Sequence, residues 1–203
     1  WIYEAGIRTD MYHDIITDYI ESNYPNTKDM VMKTMAGINL QELPQKDTHL
    51  LVDMVSDRTK LVCAPMPNLY FTRDPGACVG EGINIHRMHT PARKRESLLL
   101  KYMYLYNRDF ATPENKMWYD LSDSYSIEGG DVLNINEKTL AVGISQRTQA
   151  AAIDVMAQNI FWNSDSKVER ILAFDIPVSR AFMHLDTVFT QIDVDKFTIH
   201  PAI

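Results

Sequence analysis

From Asp57 onward the sequence alternates short apolar runs of period two with longer runs of helical period, and this alternation restricts the chain to an α/β architecture. Leu61-Val62-Cys63-Ala64, Gly82 to Met88, Val132 to Ile135, Thr139 to Ile144, Ile171 to Phe174 and Thr187 to Ile192 read as strands, the third and fourth joined as a hairpin around Asn136-Glu137-Lys138. Thr90 stands where it can cap a helix with Pro91 in its first turn, and that helix continues through Leu98, Leu99, Tyr102, Met103 and Tyr106. A second helix is expected from Arg147 to Trp162. Upstream the pattern is purely helical: Arg8 to Ser22, then Thr27 (whose hydroxyl can cap) to about Gly37–Asn39, then Asp47 to Val55. Residues 1–56 therefore read as a small helical unit, its methionine stripe as core, and residues 57–203 as the α/β part.

The chemistry concentrates in a few loops. Ser126-Ile127-Glu128-Gly129-Gly130-Asp131-Val132 presents two carboxylates across a glycine pair that lets the backbone turn sharply and come close to a ligand. Read alone, it is a tight turn before a strand. Met66 to Pro75 holds Asp74 in a proline-bracketed segment, extended because Pro75 disfavours helix at the residue before it. In Met183-His184-Leu185-Asp186, strand alternation would project the histidine and the aspartate from one face. Arg93, flanked by Lys94 and Arg95, opposes the macrodipole where a helix is expected to begin, and Arg147 repeats the arrangement. An arginine at a helix N-terminus suits a carboxylate, through backbone N–H groups and a bidentate fork. Acids for a cationic head and arginines for an anionic tail imply a zwitterionic ligand, and a planar guanidinium is a head that two acids can clamp from opposite edges.

These segments resemble the arginine deiminases of the guanidino-group-modifying superfamily. The likeness is carried by Pro67 to Pro75, Pro91-Ala92-Arg93-Lys94-Arg95-Glu96, Ile127 to Val132, Ile144-Ser145-Gln146-Arg147-Thr148 and Met183 to Thr187, in that order. The resemblance implies a pseudo-fivefold α/β propeller interrupted by a helical insertion, with residues 1–56 the latter part of the insertion. It implies hydrolysis of L-arginine to citrulline and ammonia without metal or organic cofactor, by an assembly of identical copies when full length. The cytoplasm is expected from the lack of a membrane-length apolar run and of a leader. Carried over, Asp74 and Asp186 hold the guanidinium nitrogens and His184 is the general acid/base. Glu128 bonds His184 and the guanidinium, and Asp131 braces the site. Asn68, Arg93 and Arg147 take the amino-acid end, with Phe71 against the aliphatic stem.

One family feature is missing. Members attack with a cysteine near their C-terminus, whereas Cys63 lies in an apolar strand and Cys78 follows a Gly-Ala turn, so both are expected to be packing cysteines. Beginning at Trp1 and stopping at Ile203, the chain reads as part of a longer protein, inactive alone. A non-catalytic arginine-binding or assembly module, an amidinotransferase or an agmatine deiminase are the alternatives. Composition narrows the partners further: 27 acidic against 20 basic side chains give a net charge of −7, which leaves no basic excess for nucleic acid or an anionic membrane. No apolar run approaches membrane-spanning length and no leader opens the chain. Two cysteines make no disulfide framework and suit a reducing compartment. His86 and His89 have no second ligand pair for zinc, and Gly76, Gly80 and Gly82 lack the lysine of a phosphate loop.

Overall fold

A computed structural model describes residues 13–44, 51, 57–112 and 114–201. The chain divides into two compact units, Trp1–Leu69 and Tyr70–Ile203. In the first, helices α1 (His13–Asn23) and α2 (Thr27–Ala36) are followed by the short strand β1 (Ile38–Asn39), which pairs antiparallel with β2 (Leu61–Cys63). The strand expected to open the α/β part thus pairs within the helical unit. Asn26 caps α2, not Thr27: its side chain accepts the Asp29 backbone N–H at 2.9 Å, because an Asx side chain one residue earlier reaches the free amides of the first turn. Gly37, at φ +87°, ends the helix in a conformation that a side chain resists. The third predicted helix, Asp47 to Val55, falls almost entirely outside the described residues, as does the start of the first.

The second unit repeats one topology. Strands β3 (Gly76–Val79) and β4 (Gly82–Ile85) form a hairpin, helix α3 (Glu96–Tyr106) crosses over, and β5 (Lys116–Tyr119) returns parallel to β4. Strands β6 (Val132–Asn136) and β7 (Thr139–Ile144), helix α4 (Ala150–Phe161) and β8 (Arg170–Asp175) do the same, with β8 parallel to β7. A helix is the natural connection for a parallel pair, which needs a long crossover. A further hairpin, β9 (Phe189–Asp193) with β10 (Lys196–Ile199), follows. The sheets are separate and mixed, with orders β3-β4-β5 and β6-β7-β8, and the chain is a mixed α/β protein.

Strand β7 is buried on both faces. Leu140 and Val142 enter a cluster with Trp118, Ile127, Ala152, Ile153, Met156 and Ile160, while Ala141 packs with Ile176, Leu185 and Val188 on the other side. At roughly 25 cal/mol per Å² of apolar surface removed from water, such a strand is the part of the unit hardest to displace. Leu185 therefore ties the turn that carries His184 to the core. Cys78, expected to pack, is exposed, because β3 is the edge strand of its sheet and residue 78 alternates with the buried Val79.

Candidate active site

Topology brings the charged residues together by a simple rule. The acids stand where a hairpin's first strand is entered: Asp74 two residues before β3, Glu128 and Asp131 immediately before β6, His184 and Asp186 just before β9. The two arginines come from beyond the second strand of a hairpin, Arg93 after β4 and Arg147 after β7.

Glu128 and His184 form the centre. His184 Nε2 lies 2.9 Å from Glu128 Oε2, with Glu128 fully buried and His184 nearly so. A carboxylate only accepts, so Nε2 carries the hydrogen. Glu128 Oε1 accepts the His89 backbone N–H at 2.9 Å and lies 3.8 Å from Arg147 Nη1. Burial pushes the Glu128 pKa up, but His184, the His89 amide and Arg147 outweigh it and hold the carboxyl below its usual 4.5. Burial lowers His184, yet the Glu128 bond and the charges of Asp131, Glu128 and Asp74 hold it above its usual 6.5. Both shifts favour the charged forms, His184 protonated and Glu128 ionised.

Asp131 is the brace between segments. Its Oδ2 accepts the hydroxyls of Ser145 and Thr148, each at 2.6 Å, and its Oδ1 accepts the Leu185 N–H at 2.8 Å. Thr148 Oγ1 in turn accepts the Glu128 N–H at 3.1 Å, so one buried carboxylate ties the Glu128 corner, the turn after β7 and the His184 segment. Burial pushes the Asp131 carboxyl up against the pull of these donors.

The glycine pair is there for contact. A Cβ on Gly130 would sit 2.5 Å from His184 Nδ1, and one on Gly129 would sit 2.1 Å from the Arg73 carbonyl oxygen. Gly130→Ala is expected to push the ring off Glu128 and to destabilise the unit by about 1–3 kcal/mol in denaturant unfolding, the usual cost of overpacking. Unchanged stability would show that the ring has room to move.

Asp74 and Asp186 each hold a protein arginine. Arg93 Nη1 lies 2.7 Å from Asp74 Oδ2, and its Nη2 lies 2.8 Å from Glu96 Oε2. Arg73 Nε lies 3.0 Å from Asp186 Oδ2. Burial raises the Asp186 pKa, which Arg73 and His184 oppose and Asp74 reinforces, so the aspartates share one electrostatic site with the pair. The Asp74 carbonyl accepts from His86 Nδ1 at 2.8 Å and from the Gly129 N–H at 3.1 Å, linking three loops through a single atom. His86 is fully buried, which lowers its pKa to about 4 and keeps it neutral.

Several sequence expectations change here. Arg93 does not open a helix: it ends a 3-10 turn, Pro91–Arg93, and α3 begins at Glu96, its ion partner three residues on. Thr90 makes no side-chain cap, because its hydroxyl accepts from Arg147 Nη1 at 2.6 Å. Nor does Arg147 open α4, which starts at Ala150. The Ser145 hydroxyl accepts the N–H groups of Arg147 and Thr148, folding them into a turn instead. His184 and Asp186 do not share a strand face. His184 is extended and Asp186 lies in the 3-10 turn Leu185–Thr187, closed by the Thr187 N–H and hydroxyl on the His184 carbonyl. Phe71 is exposed, its ring centroid 5.9 Å from the Arg93 guanidinium carbon. Asn68 lies in a half-buried turn of the first unit. Sequence reasoning gave no role to Arg73, Glu96, Ser145 and Thr148, and weighed His86 only as a zinc ligand. Glu96 was findable from its i,i+3 spacing to Arg93, and Arg73 from its place beside Asp74.

The fold is that of a class of mixed α/β proteins with solved members. Dimethylarginine dimethylaminohydrolase from Pseudomonas aeruginosa, in complex with citrulline, superposes with a TM-score of 0.51 over 65% of this chain and 46% of that one, at 16% identity. The product-bound N-terminal domain of ArgZ, an arginine dihydrolase of the cyanobacterial ornithine–ammonia cycle, gives 0.53 over 68% and 45%, at 22% identity. Sequence is more specific. The arginine deiminase family model matches residues 5–203. The arginine deiminase of Treponema denticola is 49% identical over the whole chain, which covers 49% of that protein, and that of Clostridium perfringens is 44% identical, with the same coverage. The chain belongs to the arginine deiminase family, and it spans about half the length of these curated relatives. Among the described residues, no helix is long and apolar enough to cross a membrane.

Proposed function

We propose that the full-length protein carrying this chain hydrolyses L-arginine to L-citrulline and ammonia. The observation that carries this reading is the buried His184–Glu128 pair set among Asp74 and Asp186, an acid–base centre beside carboxylates suited to a planar cation. Asp74 and Asp186 grip the substrate's guanidinium nitrogens, and Glu128 orients His184 and faces the same head. Asp131 braces the site. Arg93 and Arg147 take the α-amino-acid end, and Phe71 lies against the stem. A cysteine thiolate adds to the guanidinium carbon, and ammonia leaves with a proton from His184. Water, deprotonated by His184, then attacks the S-alkylthiouronium carbon, and citrulline departs as the thiolate is restored.

Neither Cys63 nor Cys78 suits that thiolate. Cys63 is buried in the first unit with its Sγ on the Thr34 carbonyl, and Cys78 stands on the exposed edge strand. The nucleophile is therefore assigned to chain outside these 203 residues. The same observation favours, as second reading, an arginine-binding module that does no chemistry. Two ββαβ units followed by a third hairpin support reading residues 57–203 as successive blades of a propeller, with residues 1–56 from a helical insertion. We read the protein as cytoplasmic and, when full length, as an assembly of identical copies.

Citrulline formed from arginine by the full-length protein tests the reading, and its absence with binding retained selects the non-catalytic module. Turnover by the isolated 203 residues would overturn the assignment of the nucleophile and point to Cys78. Arg147→Ala is expected to weaken use of arginine much more than use of agmatine, which lacks the carboxylate, by about the 2–5 kcal/mol of a truncated buried charge pair. Equal losses would remove Arg147 from the carboxylate end.

A further inference from the structure

Each carboxylate of the proposed clamp is matched by a protein guanidinium: Asp74 by Arg93 at 2.7 Å, Glu128 by Arg147 at 3.8 Å, and Asp186 by Arg73 at 3.0 Å. A substrate guanidinium entering this cluster therefore competes with protein guanidiniums already seated on its acids. The three arginines are held very differently. The Arg93 side chain is 9% exposed and also bound to Glu96, and Arg147 is 19% exposed and also held by Thr90 and the Met183 sulfur. The Arg73 side chain is 54% exposed, and among the described residues Asp186 is its only ion partner. Its backbone, by contrast, is pinned: the Arg73 carbonyl packs so closely on Gly129 that no side chain fits there. Arg73 and Asp186 both line an open groove of about 820 Å³, shared with Val132, Ile135, Phe189 and Thr190, into which the arginine head can withdraw without moving its main chain.

We infer that Arg73 is a displaceable internal guanidinium, resting on Asp186 until the substrate's guanidinium takes its place and thereby setting the affinity for substrate. This rests on the reading of the site as an arginine clamp and adds to it a residue that competes with the substrate by chemical identity. The exchange trades one guanidinium–carboxylate contact for another, so binding gains little at Asp186 and depends on what else the ligand reaches. A monodentate pair with a half-exposed partner is worth no more than about fivefold in an equilibrium, which bounds the effect of removing it.

The test is the KM for L-arginine of the full-length protein as wild type, Arg73→Gln, Arg73→Met and Arg73→Lys, with thermal unfolding of each as a check on folding. Removing the charge in the Gln and Met variants is expected to lower KM about threefold to fivefold, while Lys, which keeps a competing cation, stays near wild type. A KM that is unchanged or raised in the folded Gln or Met variant overturns the proposal, because a residue that merely braces Asp186 would weaken binding when lost. Should the wild type release no citrulline, the functional reading fails separately. Calorimetric titration of L-arginine into the same variants then decides: tighter binding by Gln and Met sustains the displacement, and equal or weaker binding rejects it.

Discussion

Replacing His184 with alanine in the full-length protein is expected to lower kcat for arginine by about 10²–10⁴-fold, the usual worth of a positioned acid–base group. The loss falls on chemistry, so KM should change far less. A drop in kcat below about tenfold would remove His184 from proton transfer. The same residue has a pH signature in stability. Its folded pKa is raised above 6.5, so the stability it contributes is complete below that value and is lost as pH rises through the folded pKa. Glu128 works in the opposite sense: lowered from 4.5, it contributes above that value and loses its contribution as pH falls through its folded pKa. Urea unfolding is therefore expected to give lower stability at about pH 9 than at about pH 6 for the wild type, and His184→Gln to flatten that difference. A slope that persists unchanged in the variant would mean that some other group titrates.

Asp131→Ala is expected to be the most destabilising single change in the second unit. It strips the acceptor from Ser145, Thr148 and the Leu185 amide at once, and the Leu185 N–H is left buried with no alternative. An orphaned buried donor costs about 1–3 kcal/mol, and with the two hydroxyls the total should be about 3 kcal/mol. Asp131→Asn keeps a single amide oxygen where two carboxylate oxygens now serve three donors, so it should cost about half as much. Activity should fall with stability in both, because the same carboxylate spaces Glu128 from His184. Denaturant unfolding that finds Asp131→Asn as stable as wild type would sink this account of the brace.

Elements whose signal lies in adjacent residues were readable in advance. The hairpin from Val132 to Ile144 follows from apolar alternation interrupted by Asn136-Glu137-Lys138, and α3, α4 and β8 follow from their periods. β5 escaped notice because Lys116-Met117-Trp118-Tyr119 has no alternation: it is a strand because β4 offers it a parallel edge and α4 covers it. The helix starts at Thr90 and Arg147 were misjudged for a related reason. The hydroxyls and turns that look like caps locally are drawn into bonds with residues far along the chain, Thr90 with Arg147 and Thr148 with Asp131.

The amino-acid order alone established the α/β class and the family likeness and pointed to a zwitterionic ligand, because these rest on period, residue type and short motifs. Which arginine faces which acid was decided by folding. Arg73 stands beside Asp74 in the chain yet pairs with Asp186, while Asp74 is taken by Arg93. Charges attract any opposite partner that the backbone brings within a few ångströms, and only the stacking of the two ββαβ units and the third hairpin sets those distances.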